Sequence, residues 1–344
     1  MEKDRLLKLT EAEEQRARSL YDNAIVIDCL NYSPTLPDSG HPEYLEEYAQ
    51  AGVTATHFTI HLPYEDLRDF LNQVSLWHKL AEETDSCVVQ FARDIRISKE
   101  EKRKCMIFGL QNGKPLEENA SFVDVFHRLG IRIIQLAYND QNLLAAGGDE
   151  KDAGVTKLGR KVIEEMNRVG VLIDVSHCGP QTTMDAIEYS AKPIAFTHAN
   201  PKGLCDHYRN KTDEQLKALA ARGGVVGMTA YSPISKTRKD RRPTLRDFLD
   251  FVDYVADLIG PEHVGFGLDL SPTVGWDPEG YRIWAQKHPG LAADNIDEIS
   301  IEGLEKPLDI INIARGLVSR GYNDAEIRGI LGENFLRLFE EVWR

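Results

Sequence analysis

Eight short apolar runs, most of them followed by a stretch of helical character, constrain this chain more than any other feature. They are AIVIDCLN from Ala24, GVTATHFTI from Gly52, MIFGLQN from Met106, IRIIQLAY from Ile131, VLIDVSH from Val171, PIAFTH from Pro193, GGVVGMTAY from Gly223 and HVGFGLDL from His263. Runs of this length read as buried strands. The intervening segments carry helix signals: Thr10 with Glu13 as a capping box, a Leu158, Val162, Met166 and Val169 stripe closed by Gly170, and Asn323 with Glu326. The stretch after the second run reads as helical through Val89. Eight strand-helix units specify a closed parallel barrel more economically than an open sheet, because closure leaves no edge strand. The expectation is an α/β (β/α)8 TIM barrel forming one domain over residues 1–344, with extra helices at both ends.

Strands of such a barrel bring their carboxyl ends to one mouth. Their terminal residues become the candidate ring: Asn31, His57 or Thr59, Gln111, Tyr138, His177, His198, Tyr231 and Asp269. A lone histidine at a strand end is commonly a hydrogen-bonding residue; a matched pair on consecutive strands, His177 and His198, suggests metal ligands. Period-2 alternation, with His177 inward, puts Val175, Ile173 and Val171 on the interior face and sends Asp174 and Ser176 toward the helices; His198 would share its face with Phe196 and Ile194. Asp269 stands above Gly265 and Gly267, which leave room beside it. A carboxylate there can bind a metal or take a proton from water. Cys178, adjacent to His177, points to the opposite side and makes a poor nucleophile partner.

Charge limits the partners: 41 Lys+Arg against 55 Asp+Glu, net −14, argues against nucleic acid and anionic membrane. The charged N-terminus lacks the apolar centre of a signal peptide, and no run approaches a membrane span, so a cytoplasmic location is expected. Five cysteines, odd in number and without a C-x-x-C pair, read mostly as small buried hydrophobes. The basic loop Lys236, Arg238, Lys239, Arg241 and Arg242 reads as a solvated loop or, more sharply, an attractor of carboxylates. Trp276, Tyr281 and Trp284 lie in an insertion that could form a lid.

The runs EMNRVGVLIDVSH, PIAFTHANPKGLCDHYRN, HVGFGLDL and LGENFLRLF, in this order between about Ile25 and Val342, resemble the membrane (renal) dipeptidase family, a branch of the metal-dependent amidohydrolases. The resemblance implies a barrel of the metal-dependent-hydrolase type, two zinc ions bridged by a glutamate, hydrolysis of dipeptides, and a homodimer. Position by position, His177 and His198 match the histidines of the second metal. Asp269 matches the aspartate that binds the first metal and handles the proton. Arg209, in DHYRN, matches the arginine that grips the substrate carboxylate, as a guanidinium can do bidentately.

The departures are equally specific. The family's Asp-Gly-His-Asn-Asp corresponds to Asp28-Cys29-Leu30-Asn31-Tyr32, so Leu30 and Tyr32 replace two ligands. The bridging glutamate falls on Gln111, and the substrate-binding histidine on Tyr138. The resulting expectation is one divalent metal at most, zinc or another, held by His177 and His198 with Asp269 as ligand or general base. Gln111 would be a weak oxygen ligand, and His57 or His61 a spare donor. Arg209, Tyr138 and Gln111 would bind a small amide or dipeptide-like substrate for hydrolysis. Two other readings use the same pocket: metal-free or non-hydrolytic chemistry on a small N-substituted amino acid or betaine-like compound, and a non-catalytic binding protein on an inherited scaffold.

Overall fold

The computed structural model describes residues 7–33, 36–38, 43–148, 151–238, 240–271, 282, 285–286, 290–293 and 295–343. Its strands are β1 (Ile27–Asn31), β2 (Ala55–Thr59), β3 (Cys87–Val88), β4 (Cys105–Leu110), β5 (Ile131–Gln135), β6 (Leu172–Asp174), β7 (Ala195–Phe196), β8 (Val225–Met228) and β9 (Val264–Phe266). They pair in parallel in the order β1-β2-β4-β5-β6-β7-β8-β9, with β3 beside the start of β4. The eight expected runs therefore make the barrel. β3 was not expected: the helix Leu67–Glu83 stops short of Val89, because Asp85 takes a left-handed φ of 47° and redirects the chain into an extended pair.

Closure between β9 and β1 is made partly by a side chain. Asp28 Oδ1 accepts from Leu268 N at 2.9 Å, while Asp269 N donates to Leu30 O at 3.0 Å and Tyr32 N to Leu270 O at 2.9 Å. The product is a (β/α)8 barrel. Cys29 joins the interior cluster beside Ile27, two residues before it on the same face. β1 bulges between Asp28 and Asn31, and the extra residue reverses the alternation beyond it. Asn31 swings away from the mouth, donating to Tyr44 Oη at 2.9 Å and Tyr48 Oη at 2.7 Å on the helix Glu43–Gln50.

Two apolar shells surround the strands. Phe58, Phe108, Ile134, Ile173, Val175, Phe196 and Phe266 pack outward with the helices. Ile27, Ala55, Ile107, Ile133, Leu172, Ala195 and Val225 face inward and are floored by Phe335, Phe339 and Trp343 from the C-terminal helix and its cap. The ring of Phe335 occupies the space above Gly265, where a Cβ would come within 2.5 Å of it.

The alternation expected for the runs at β6 and β7 is inverted. Val171, Ile173 and Val175 face the helices, with Ile194 and Phe196, whereas Asp174 and Thr197 face inward and bond to each other. Helices cover the whole outside, so the bulky apolar residues belong there; the narrow interior takes small residues at its floor and polar ones toward the mouth.

Two further expectations resolve here. In the basic loop, Arg241 pairs with Asp247 at 2.7 Å and Arg242 with Glu305 at 3.1 Å, so both fasten the loop to the fold and are not free to attract an anion. Trp276, Tyr281 and Trp284 lie outside the described residues. Among the described residues, no helix is long and apolar enough to cross a membrane.

Candidate functional site

β6 ends at Asp174, and His177 reaches the mouth on the turn that follows it. Three side chains hold that turn. Lys211 Nζ donates to Val175 O at 2.8 Å and to Cys178 O at 3.0 Å; Arg209 Nη1 donates to Ser176 O; Gln135 Oε1 accepts from His177 N at 3.1 Å. Lys211 is 2% exposed, and burial pulls its ammonium down to about 7.

His177 Nε2 and His198 Nε2 stand 2.9 Å apart. The other ring nitrogens fix what these two present. His177 Nδ1 lies 2.7 Å from Asn139 Oδ1, an acceptor, and so carries the proton. Thr197 Oγ1 donates to Asp174 Oδ2 at 2.8 Å and therefore accepts from His198 Nδ1, also at 2.8 Å. Asp174 is anchored in turn by Ser176 N, Ser176 Oγ and Thr197 N. Both Nε2 atoms are thus left as bare lone pairs facing each other. Burial lowers both histidines well below their usual value, with nearby Arg209 adding to it, so the rings stay neutral.

Two lone pairs at that separation repel unless a cation lies between them. A zinc-type ion bonds imidazole nitrogen at about 2.0–2.1 Å, so both Nε2 atoms would reach one ion placed between them. Asn139 and the Thr197–Asp174 relay would be the orienting acceptors that metal-bound histidines require. Among the described residues, no three His, Cys, Asp or Glu side chains gather as a metal-holding set, so no third side chain of these types joins the pair.

The spare donors are turned elsewhere. His57 lies mid-strand beneath the mouth, its Nδ1 2.7 Å from Cys29 O and its Nε2 where a Cβ on Gly109 would be 2.0 Å away. His61 is buried against Phe70 with both ring nitrogens unpartnered, apart from the pair. Gln111 Nε2 donates to Thr59 Oγ1 at 2.8 Å, and its carbonyl accepts from Gln135. Cys178 is buried and its thiol is pushed up to about 12, which removes it as a nucleophile. Tyr231 is tied to Leu291 O.

Arg209, Asp269 and Tyr138 do share the mouth. Arg209 is 3% exposed and makes no carboxylate pair among the described residues; beyond its bond to Ser176 O its guanidinium N–H groups are uncommitted. Burial raises Asp269 to about 6, and the positive charge of Arg209 pulls it back. Its carboxylate accepts no hydrogen bond from the described residues, and its backbone takes a left-handed φ of 58°. The ring of Tyr138 stacks on His177 at 4.0 Å. Burial holds Tyr138 and Tyr32 protonated, with the charge of Asp269 acting in the same direction on both phenols.

Sequence reasoning overlooked Gln135, Asn139, Asp174, Thr197 and Lys211. Three of them had a signal: Gln135, Asp174 and Thr197 are the polar interruptions of otherwise apolar runs, on the side mistaken for the helix-facing one.

Comparisons with known proteins agree with the fold. Residues 15–282 match the sequence profile described as membrane dipeptidase (peptidase family M19). The dipeptidase verJ of Clonostachys rogersoniana is 29% identical over 297 residues, covering 83% of this chain and 68% of its own. An amidohydrolase from Pseudomonas aeruginosa superposes with a TM-score of 0.85 at 31% identity, over 95% of this chain and 99% of its own. A metallo peptidase from Rhodobacter sphaeroides, solved with a phosphinate mimic of the dipeptide L-Ala-D-Ala, has the same fold: TM-score 0.78, 19% identity, 93% and 100% coverage.

Proposed function

Because the chain belongs to the membrane dipeptidase family, whose members are metal-dependent hydrolases, we propose that it hydrolyses a small dipeptide-like amide bearing a free carboxylate, with one divalent metal at His177 and His198. The observation that carries this reading is Arg209, a buried guanidinium with no carboxylate partner among the described residues. Asp269 and Asp174 offset part of its charge from nearby, but neither pairs with it among the described residues, and a buried cation without a direct partner is relieved by an anionic ligand. A planar fork of N–H donors suits a carboxylate in particular.

The residues then divide the work. Arg209 grips the substrate carboxylate and sets the distance from that end to the scissile bond. His177 and His198, neutral and tautomer-fixed, would hold the ion. When bound, such an ion polarises the carbonyl and lowers the pKa of a water to about 7. Asp269, brought near neutrality by burial, accepts the proton of the attacking water and returns it to the leaving amine. Tyr138 and Tyr32, both protonated, offer neutral O–H donors at the rim, and Gln111 supports the floor of the pocket through Thr59.

The test is a dipeptide panel assayed with metal-depleted and zinc-reloaded protein, with bound metal counted directly. One ion per chain and hydrolysis that depends on it are expected. Turnover unchanged after exhaustive chelation would instead favour the metal-free reading on the same Tyr138, Gln111 and Asp269 surface.

A further inference from the structure

We propose that Cys87 and Cys105 form an oxidisable thiol pair on the barrel floor, which closes to an intrachain disulfide on meeting a low-molecular-weight disulfide of the glutathione class. The placement comes from the sheet. Cys87 of β3 and Cys105 of β4 are direct partners in a parallel register. Register partners in parallel strands project to the same face, with Cα atoms about 4.8 Å apart. That lies inside the range of about 4.4–6.8 Å in which a disulfide forms without moving the backbone.

Both thiols are free, and they stand close enough, with Ser98 alongside, for each to act on the other's ionisation. Cys105 is buried and its Sγ also lies 3.8 Å from Asp94 O, whereas Cys87 is half-buried and reachable. The neighbouring Cys105 draws the Cys87 thiol below its usual value, which favours the thiolate. The other three cysteines are buried, and burial pushes their thiols up: Cys29 well above its usual value, Cys178 to about 12 and Cys205 to about 11.

The chemistry is a two-step exchange. The Cys87 sulfur attacks one sulfur of the small disulfide, whose S–S bond breaks; the departing thiolate takes up the proton Cys87 gave up. The Cys105 sulfur then attacks Cys87 in the mixed disulfide, expels the second small thiol and passes its own proton to it. The protein pair is oxidised by two electrons, and one small disulfide is reduced to two thiols. The bond encloses the helix Ala92–Glu101, which touches the C-terminal helix through Arg96 with Glu333 and Glu340. It lies at the strand starts, away from His177 and His198.

The experiment incubates the full chain in glutathione buffers of graded ratio, alkylates the remaining thiols, and reads intact mass and cross-linked peptides. Two of the five thiols should disappear together with a Cys87–Cys105 peptide formed, the unfolding temperature should rise, and dithiothreitol should reverse both. Cys87→Ser and, separately, Cys105→Ala should abolish the cross-link. All five thiols remaining reactive in oxidising buffer, a glutathione adduct persisting on Cys87, or a cross-link through any other cysteine would overturn the proposal.

Discussion

His177 and His198 approach through their Nε2 atoms to 2.9 Å while each Nδ1 is engaged by an acceptor, Asn139 Oδ1 for one and Thr197 Oγ1 for the other. The acceptors decide the chemistry, since they leave two lone pairs in one place. Replacing Thr197 by Val removes the acceptor of His198 Nδ1 together with its donor link to Asp174 and should weaken zinc affinity by about ten- to hundredfold, the usual scale for an orienting partner. His177→Ala should abolish stoichiometric binding. Titration calorimetry distinguishes the two; equal affinity in wild type and Thr197→Val would remove the relay from the argument.

Arg209→Met should separate binding from folding. Losing a charge-assisted contact of about 1.5–3 kcal/mol raises KM for a carboxylate-bearing substrate by about ten- to hundredfold. Asp269 and Asp174 act on the guanidinium from nearby without pairing with it, so its removal should change thermal stability little. An unaltered KM would show that the substrate carboxylate lies elsewhere.

Asp269 predicts an acidic limb. With its carboxyl raised to about 6 by burial, kcat/KM should fall as pH drops through that value and stay level above it. Asp269→Asn should lose the limb together with most of the rate. A profile flat to pH 5 in the wild type contradicts its role as proton acceptor.

Asp28 carries a different pH dependence, in stability. Burial raises it to about 7, against about 3.9 for the unfolded chain. Between those values the folded state keeps a proton that the unfolded chain has released. Stability therefore declines as pH rises from about 4 to about 7, by at most on the order of 4 kcal/mol, and is flat above. Asp28→Asn keeps an oxygen for Leu268 N and should flatten the curve in urea titrations at successive pH values.

Lys211→Met leaves Val175 O and Cys178 O short of their donor in a buried turn. Each loss costs about 1–3 kcal/mol, so destabilisation of about 2–4 kcal/mol is expected by chemical denaturation. Metal affinity should fall too, since the same turn carries His177.

The barrel was legible because eight apolar runs have few alternatives. The histidines were identified by their spacing, although the route to them was misjudged. Period-2 counting was carried past Asp174, where β6 has already ended, and bulky residues were assigned to the interior when the helices claim them. Asn31 left the mouth through a bulge that the letters IDCLN do not announce. β3, two residues long, is too short to register against a neighbouring helical pattern. The orienting residues are distant in sequence, as Asn139 is from His177, and only the folded chain brings them together.

The left-handed backbone at Asp269 narrows what can ever occupy that position. Glycine, asparagine and aspartate enter this conformation most readily. A glutamate there would carry a cost on the order of 1–2 kcal/mol, so trading this acid for a longer one is disfavoured by the backbone before any chemistry is considered. The chain's shape has in effect chosen the length of its own base.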